Sequence, residues 1–227
     1  MKILLHSLSR LRQALVGLLD IDKTIPVSRE SYREYIDQLI SRTYSPRHIR
    51  ELRPAGSLDA LLVMVAWGER YIETFLTVGL PMLLHPTNVP AMAKGRRILL
   101  RIFTDEPSRA KLEASPLVSM LRQHIDVSYE TVPQRLLRRP QVSTWDHKEV
   151  TYRLFGGLTH AGIHEAIALE SDLVFIWPDQ ILGPGSYAYL RRLMDGSERD
   201  CMAVRALNIN HTGFVSELAK YRTANGL

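Results

Sequence analysis

One cysteine, Cys201, stands in a chain of 227 residues. That excludes an internal disulfide framework and any zinc site built mainly from cysteines. No apolar stretch approaches the roughly 18–20 residues that a membrane-spanning helix needs, no segment is of low complexity, and no internal repeat is present. Charge of one sign is scarce too: 29 Lys and Arg against 24 Asp and Glu leave a net charge of +5. The two signs are interleaved, so a nucleic-acid partner is not expected. The denser basic spots are Arg96-Arg97, the arginines within 135–139, and Arg191-Arg192. They read as solvated faces or as anchors for an anionic ligand such as a nucleotide phosphate.

Several catalytic signatures are missing as well. The turn after the first apolar run holds a single glycine, Gly68, where a dinucleotide fingerprint needs three. There is no P-loop lysine pattern and no G-x-S-x-G elbow, which disfavours common nucleotide hydrolases and sheet-type serine hydrolases. A methyltransferase-like nucleotide enzyme is disfavoured by the same lack of a glycine-rich turn. His160 and His164 lie four apart on one expected helix without the intervening Glu of a zinc protease; Glu165 follows them. One packed and one solvated histidine is the plain alternative.

What is present is a globular composition, 45% apolar and 23% charged, enough for one sizeable domain with a small extension. The N-terminal leucines at 4, 8, 11, 15, 18 and 19 recur at helical spacing, and His6, Arg10 and Arg12 interrupt any export signal. They predict a helix and a cytoplasmic protein, with membrane-surface association by that basic helix as the alternative. Residues 1–55 read as a helical N-terminal extension, and 56–227 as the main domain.

In that domain, apolar runs at Leu58–Trp67, Arg97–Thr104, Ile125–Val132, Leu173–Trp177 and Cys201–Leu207 predict strands. Helical patterns alternate with them: Tyr71–Leu84 (broken at Pro81), Pro107–His124, Tyr152–Glu170, Ser186–Met194 and Phe214–Tyr221, with an irregular loop at 133–150. Such alternation predicts an α/β fold, a mostly parallel sheet covered by helices on both faces. Ligands of such sheets bind beyond the carboxyl ends of the strands. That rule selects Trp67-Gly68-Glu69, Thr104-Asp105, Val132-Pro133, Pro178-Asp179 and Leu207-Asn208.

Each candidate has a structural alternative. Asp179 after Pro178 suits a turn. Thr104-Asp105 ahead of Pro107 suits a helix cap. Trp67 and Trp177 suit core packing, and Asn88 between Pro86 and Pro90 suits a turn.

Taken together, Val65 to Tyr71 leading into Phe75-Leu76, then Leu80 to Pro90, Phe103-Thr104-Asp105, the helix with His160 and Ala166, and Phe175 to Asp179 followed by Gly185-Ser186 resemble bacterial glycosyltransferase-like proteins with a GT-A-type fold. The resemblance runs from about Leu58 to Leu207. It implies an enzyme moving a sugar from a nucleotide sugar to a glycan or other hydroxyl acceptor, as in surface-polysaccharide synthesis. The alternative is a non-catalytic domain of that fold binding a nucleotide or a glycan.

On this resemblance Trp67, Gly68, Glu69, Asn88, Thr104, Asp105, Gly185 and Ser186 contact substrate, and Asp179, His160 and His164 are candidates for the base. It also implies Mg²⁺ or Mn²⁺ held by an Asp-x-Asp pair. Here Trp177-Pro178-Asp179-Gln180 offers Asp179 alone, and one carboxylate holds a hard cation less firmly than two. Arginines of 135–139 or the helix start at 185–187 are the expected substitutes for the cation. The acceptor half after Asp179 is short, and a homo-oligomer is one way to complete it.

Overall fold

The computed structural model describes residues 29–53, 56–137 and 147–196, all but Gly196 within one compact unit that ends at Asp195. The expected helix over the N-terminal leucines, the Cys201–Leu207 strand, the Phe214–Tyr221 helix and the tip Leu207-Asn208 lie outside these residues. Four strands form one sheet: Ala60–Val65 (β1), Ile98–Thr104 (β2), Asp126–Thr131 (β3) and Asp172–Ile176 (β4). All pair in parallel, in the order β3-β2-β1-β4.

Every residue of β1 and β2 is buried, which is why both strands are nearly continuous apolar runs; helices cover both of their faces. Strand β3, Asp-Val-Ser-Tyr-Glu-Thr, is half-exposed and polar, as suits a strand with one neighbour among the described residues. The chain thus adopts the expected α/β class, a parallel sheet between two helical layers, of Rossmann-like kind.

One layer holds α1 (Arg29–Thr43), α2 (Pro46–Leu52) and α9 (His147–Leu169). Tyr32, Leu39, Leu52, Leu154, Leu158 and Ala161 of these helices pack on Leu61, Val63, Val65, Leu99 and Phe103. Helices α1 and α2, from the segment read as an extension, are thus part of this layer.

The opposite layer begins with α3 (Glu69–Thr74), the π-turn Phe75–Gly79 and α4 (Leu80–Leu83), followed by α5 (Val89–Ala93). It continues with α6 (Glu106–Glu113), α7 (Pro116–Leu121) and α10 (Ser186–Gly196). Ile72, Phe75, Leu80, Met92, Leu112, Leu121 and Tyr187 cover the even positions of β1 and β2 here. The short α8 (Gln134–Leu137) lies in the stretch read as irregular.

Pro81 does not break the helix after β1. It falls within the first two positions of α4, directly after the π-turn, where the Leu80 N–H donates to Phe75 O instead of a carbonyl four residues back. A proline at a helix start removes a donor with no intrahelical partner. The expected helix 107–124 is two, because Pro116 starts a new one after a Ser115 cap position.

Helix α9 approaches β1 unusually closely at Gly162: a Cβ there would lie 2.8 Å from Val63 Cγ1. Gly157 meets Ile36 of α1 at the same distance. Gly162→Val is therefore expected to cost about 1–3 kcal/mol by overpacking, seen as a lower urea midpoint with an unchanged slope.

Candidate functional site

Three neighbouring parallel strands, β2, β1 and β4, end at the same side of the sheet, so the residues after them gather there. The chain runs outward from β1 to β2 to β3, then returns to the other flank of β1 for β4. Strand order reverses between β1 and β4, the position at which open parallel sheets form a ligand crevice, although the segments leaving both strands pass into the same helical layer and meet there. Trp67-Gly68-Glu69 follows β1 there (the β1 wall), and Trp177-Pro178-Asp179 follows β4 (the β4 wall).

The β4 wall is a single tight turn. The Gln180 N–H donates to Trp177 O at 3.1 Å, with Pro178 and Asp179 as its central residues. Pro178 is buried, and its carbonyl would lie 3.2 Å from a Cβ at Gly79, so the π-turn and the β4 turn are in close contact. Asp179 is exposed. The Trp177 ring stacks on Phe155 of α9 with centroids 5.2 Å apart and planes at 18°, yet Trp177 remains 48% exposed. Gln180 Oε1 is shielded from solvent and has no hydrogen-bond partner among the described residues.

The β1 wall is tied to the end of β2. Gly68, with φ of 80°, lets the chain turn from strand into α3, and its N–H donates to Ser108 Oγ at 3.2 Å. The Ser108 N–H in turn donates to the Asp105 carboxylate at 2.8 Å, capping α6. Glu69 is exposed at the first turn of α3, and Trp67 is half-buried against the α9 layer.

Thr104 is fully buried, its Oγ1 without a hydrogen-bond partner among the described residues, and Asp105 is 7% exposed. These two therefore support the wall from behind, as the cap alternative has it. Asp105→Ala is expected to cost about 0.5–2 kcal/mol as a lost cap. Thr104→Val, which removes a hydroxyl without a partner among the described residues, is expected to be neutral or stabilising. Thermal unfolding of the two variants checks both outcomes.

Asn88 is buried and held on both sides: Nδ2 donates to Met82 O at 2.8 Å, and Oδ1 accepts the Tyr187 N–H at 3.3 Å. It fastens the α4–α5 turn to the start of α10. Gly185, with φ of 84°, and Ser186, whose hydroxyl donates to Gly183 O at 2.9 Å, shape that same start.

His160 and His164 do come together, with ring centroids 4.6 Å apart on α9, and the Tyr44 hydroxyl lies 2.6 Å from His164 Nδ1. They are not beside Asp179, however. Phe155 marks the level of the β4 turn, and the two histidines lie roughly 8 and 13 Å further along the helix axis, toward the opposite end of the strands.

The arginines also separate. Arg96 pairs with Asp195, Arg97 donates to Ser57 O, and Arg191 donates to Ala91, Met92 and Lys94 carbonyls at the end of α5. Arg96 and Arg97 precede β2, at the end of the sheet away from the crevice. Arg135, exposed on α8 just beyond the end of β3, is on the crevice side.

Among the described residues the β4 turn offers a divalent cation one carboxylate where the resemblance implies two. No group of three His, Cys, Asp or Glu side chains gathers anywhere among the described residues, and the β4 turn brings Asp179 alone. No step below is routed through a metal.

Set beside protein-family models, curated proteins and solved structures, the chain matches none. No described helix is long and apolar enough to cross a membrane.

One cluster escaped the sequence reading. Arg101, mid-strand in β2 and 3% exposed, faces the α1–α2–α9 layer among apolar neighbours. Its five N–H donors are all engaged: with Glu165 through Nε and Nη2, with Ser128 Oγ and Tyr129 O through Nη1, and with Glu130 through Nη2. His48 of α2 adds a contact of 3.1 Å to Glu165 Oε1, and Arg42 of α1 pairs with Glu130 at 2.6 Å.

Burial pushes the Glu165 carboxyl up, but the Arg101 charge and the hydrogen bonds from His48 and Arg101 outweigh it and hold the group below its ordinary value. A cavity of about 530 Å³ opens beside this cluster between α2 and β3. With every Arg101 donor already satisfied, the cluster's part is to fix two helices on the sheet. Its visible signal was one arginine inside the apolar run 98–104.

Proposed function

We propose that the domain binds a nucleotide sugar in the crevice between the β1 and β4 ends and transfers the sugar to a hydroxyl acceptor. The observation that carries this reading is the position of Trp67-Gly68 and Asp179 beyond the adjacent ends of β1 and β4, where strand order reverses and open parallel sheets take their ligands. The resemblance of Val65 to Tyr71 and Phe175 to Asp179 to glycosyltransferase-like proteins of GT-A type supports the same assignment.

In the reaction, the bond from the anomeric carbon to the nucleoside diphosphate breaks and a bond to the acceptor oxygen forms. The acceptor's proton goes to a base. Asp179 is that base in this reading, being an exposed carboxylate at a strand end, while His160 and His164 stand too far along α9. The departing diphosphate gathers negative charge that a cationic side chain stabilises. Arg135, exposed beyond β3, and Arg70, exposed in the first turn of α3 beyond β1, are described arginines on that side of the sheet.

A non-catalytic domain binding a nucleotide or glycan is the second reading, favoured by the lone carboxylate of the β4 turn. One assay separates them. Purified protein is incubated with uridine, guanosine and cytidine diphosphate sugars in EDTA, and free nucleoside diphosphate is measured. Slow release from one donor is expected; binding by calorimetry with no release from any donor supports the second reading, and absence of both contradicts the nucleotide-sugar assignment.

A further inference from the structure

The β4 turn carries two groups that a diphosphate has no use for. Trp177 presents one indole face while Phe155 backs the other at 5.2 Å, and Asp179 follows two residues later in the same hydrogen-bonded turn. A stacked neighbour fixes the ring's orientation, so the free face is a preformed flat surface, open at 48% exposure. A carboxylate accepts hydrogen bonds from hydroxyls but repels phosphate unless a cation intervenes, and the turn does not gather the ligands to hold one.

A face for C–H groups beside acceptors for O–H groups matches a pyranose ring, whose axial hydrogens lie on one side and whose hydroxyls point outward. The electron-rich face of the indole attracts the weakly positive C–H bonds.

We infer that Trp177, backed by Phe155, and Asp179 form a platform for the uncharged pyranose ring of the acceptor, rather than a clamp for a metal and the donor's phosphates. This rests on the glycosyl-transfer reading above and narrows it: the acceptor is a glycoside, and the ring stacked on Trp177 presents a hydroxyl to the Asp179 carboxylate. The phosphates then lie on the β1 side of the crevice, away from Asp179.

The test uses the full chain labelled with 5-fluorotryptophan. Its three tryptophan resonances are assigned by single substitutions. The protein is titrated in EDTA with the methyl glycosides of glucose, galactose, mannose and N-acetylglucosamine, and separately with uridine, guanosine and cytidine diphosphates. At least one glycoside is expected to shift the Trp177 resonance, while no nucleoside diphosphate does.

Trp177→Phe, which keeps a flat face, is expected to retain glycoside binding as followed by calorimetry. Trp177→Ala is expected to weaken it about tenfold, the effect of losing roughly 50 Å² of apolar contact. Asp179→Asn is expected to weaken it less, since the amide oxygen still accepts. A Trp177 resonance that no glycoside moves, or that a nucleoside diphosphate moves, overturns the platform. Equal glycoside affinity in wild type and Trp177→Ala also overturns it. If diphosphates bind by calorimetry while every glycoside fails, the platform falls and the nucleotide-sugar reading stands; if neither class binds, both fall.

Discussion

Arg101→Met is expected to lower the stability of the domain by about 3–5 kcal/mol, because it leaves the Glu165 carboxylate buried without its main partner. Glu165 is fully buried, and the Arg101 guanidinium reaches both of its oxygens, at 3.1 and 3.3 Å from Nε. Removing the cation saves no space and exposes no carboxylate to water. The double variant Arg101→Met/Glu165→Leu is expected to recover most of the loss, since an apolar pair of similar volume has no charge left to desolvate. Urea unfolding of the three proteins decides the matter; a single variant as stable as wild type would mean that water reaches Glu165.

Acid should act on the same group. A carboxyl held below its ordinary value contributes stability that is fully present above about pH 4.5 and is lost as the pH falls below that, toward its folded value. Wild type is therefore expected to lose stability between pH 4.5 and more acid conditions more steeply than the double variant.

Asp179→Ala is expected to slow sugar transfer by about 10²–10⁴-fold, the usual worth of a positioned base. Asp179 is exposed in a turn, so the unfolding free energy from urea titration should stay within about 0.5 kcal/mol of wild type. Donor affinity should change little, because the lost proton acceptor serves the acceptor hydroxyl. The fall belongs in kcat, measured as nucleoside diphosphate release at saturating donor. Full activity in the variant would move the base elsewhere. His160→Ala and His164→Ala, remote along α9, are expected to leave kcat within a few-fold.

The sheet was legible because β1 and β2 are buried on both faces and so appear as unbroken apolar runs, Leu61 to Val65 and Ile98 to Phe103 interrupted only by Arg101. Their parallel pairing followed from the helices between them. The rule that ligands gather at carboxyl ends then led to Trp67 and Asp179, which do lie beyond neighbouring strands.

Local chemistry decided the other positions. Thr104-Asp105 reads equally as a strand-end site or as a cap, and the cap is what the Ser108 N–H finds. Asn88 looked like a turn residue or a ligand contact, but both ends of its amide are taken by Met82 and Tyr187. Pro81 looked like a helix break because a π-turn leaves no mark in hydrophobic periodicity. The partners of Arg101 were invisible for a different reason. Glu165 is 64 positions from Arg101 and 117 from His48, and no pattern along the chain announces which distant charges will meet.

Amide hydrogen exchange on the full chain, with and without a saturating nucleotide sugar, tests the site assignment most directly. Protection is expected at 66–69, beyond β1, with the nucleotide sugar alone, and at 177–180, beyond β4, once an acceptor glycoside is added. Protection confined to 45–52 and 126–130, along the cavity between α2 and β3, would contradict it.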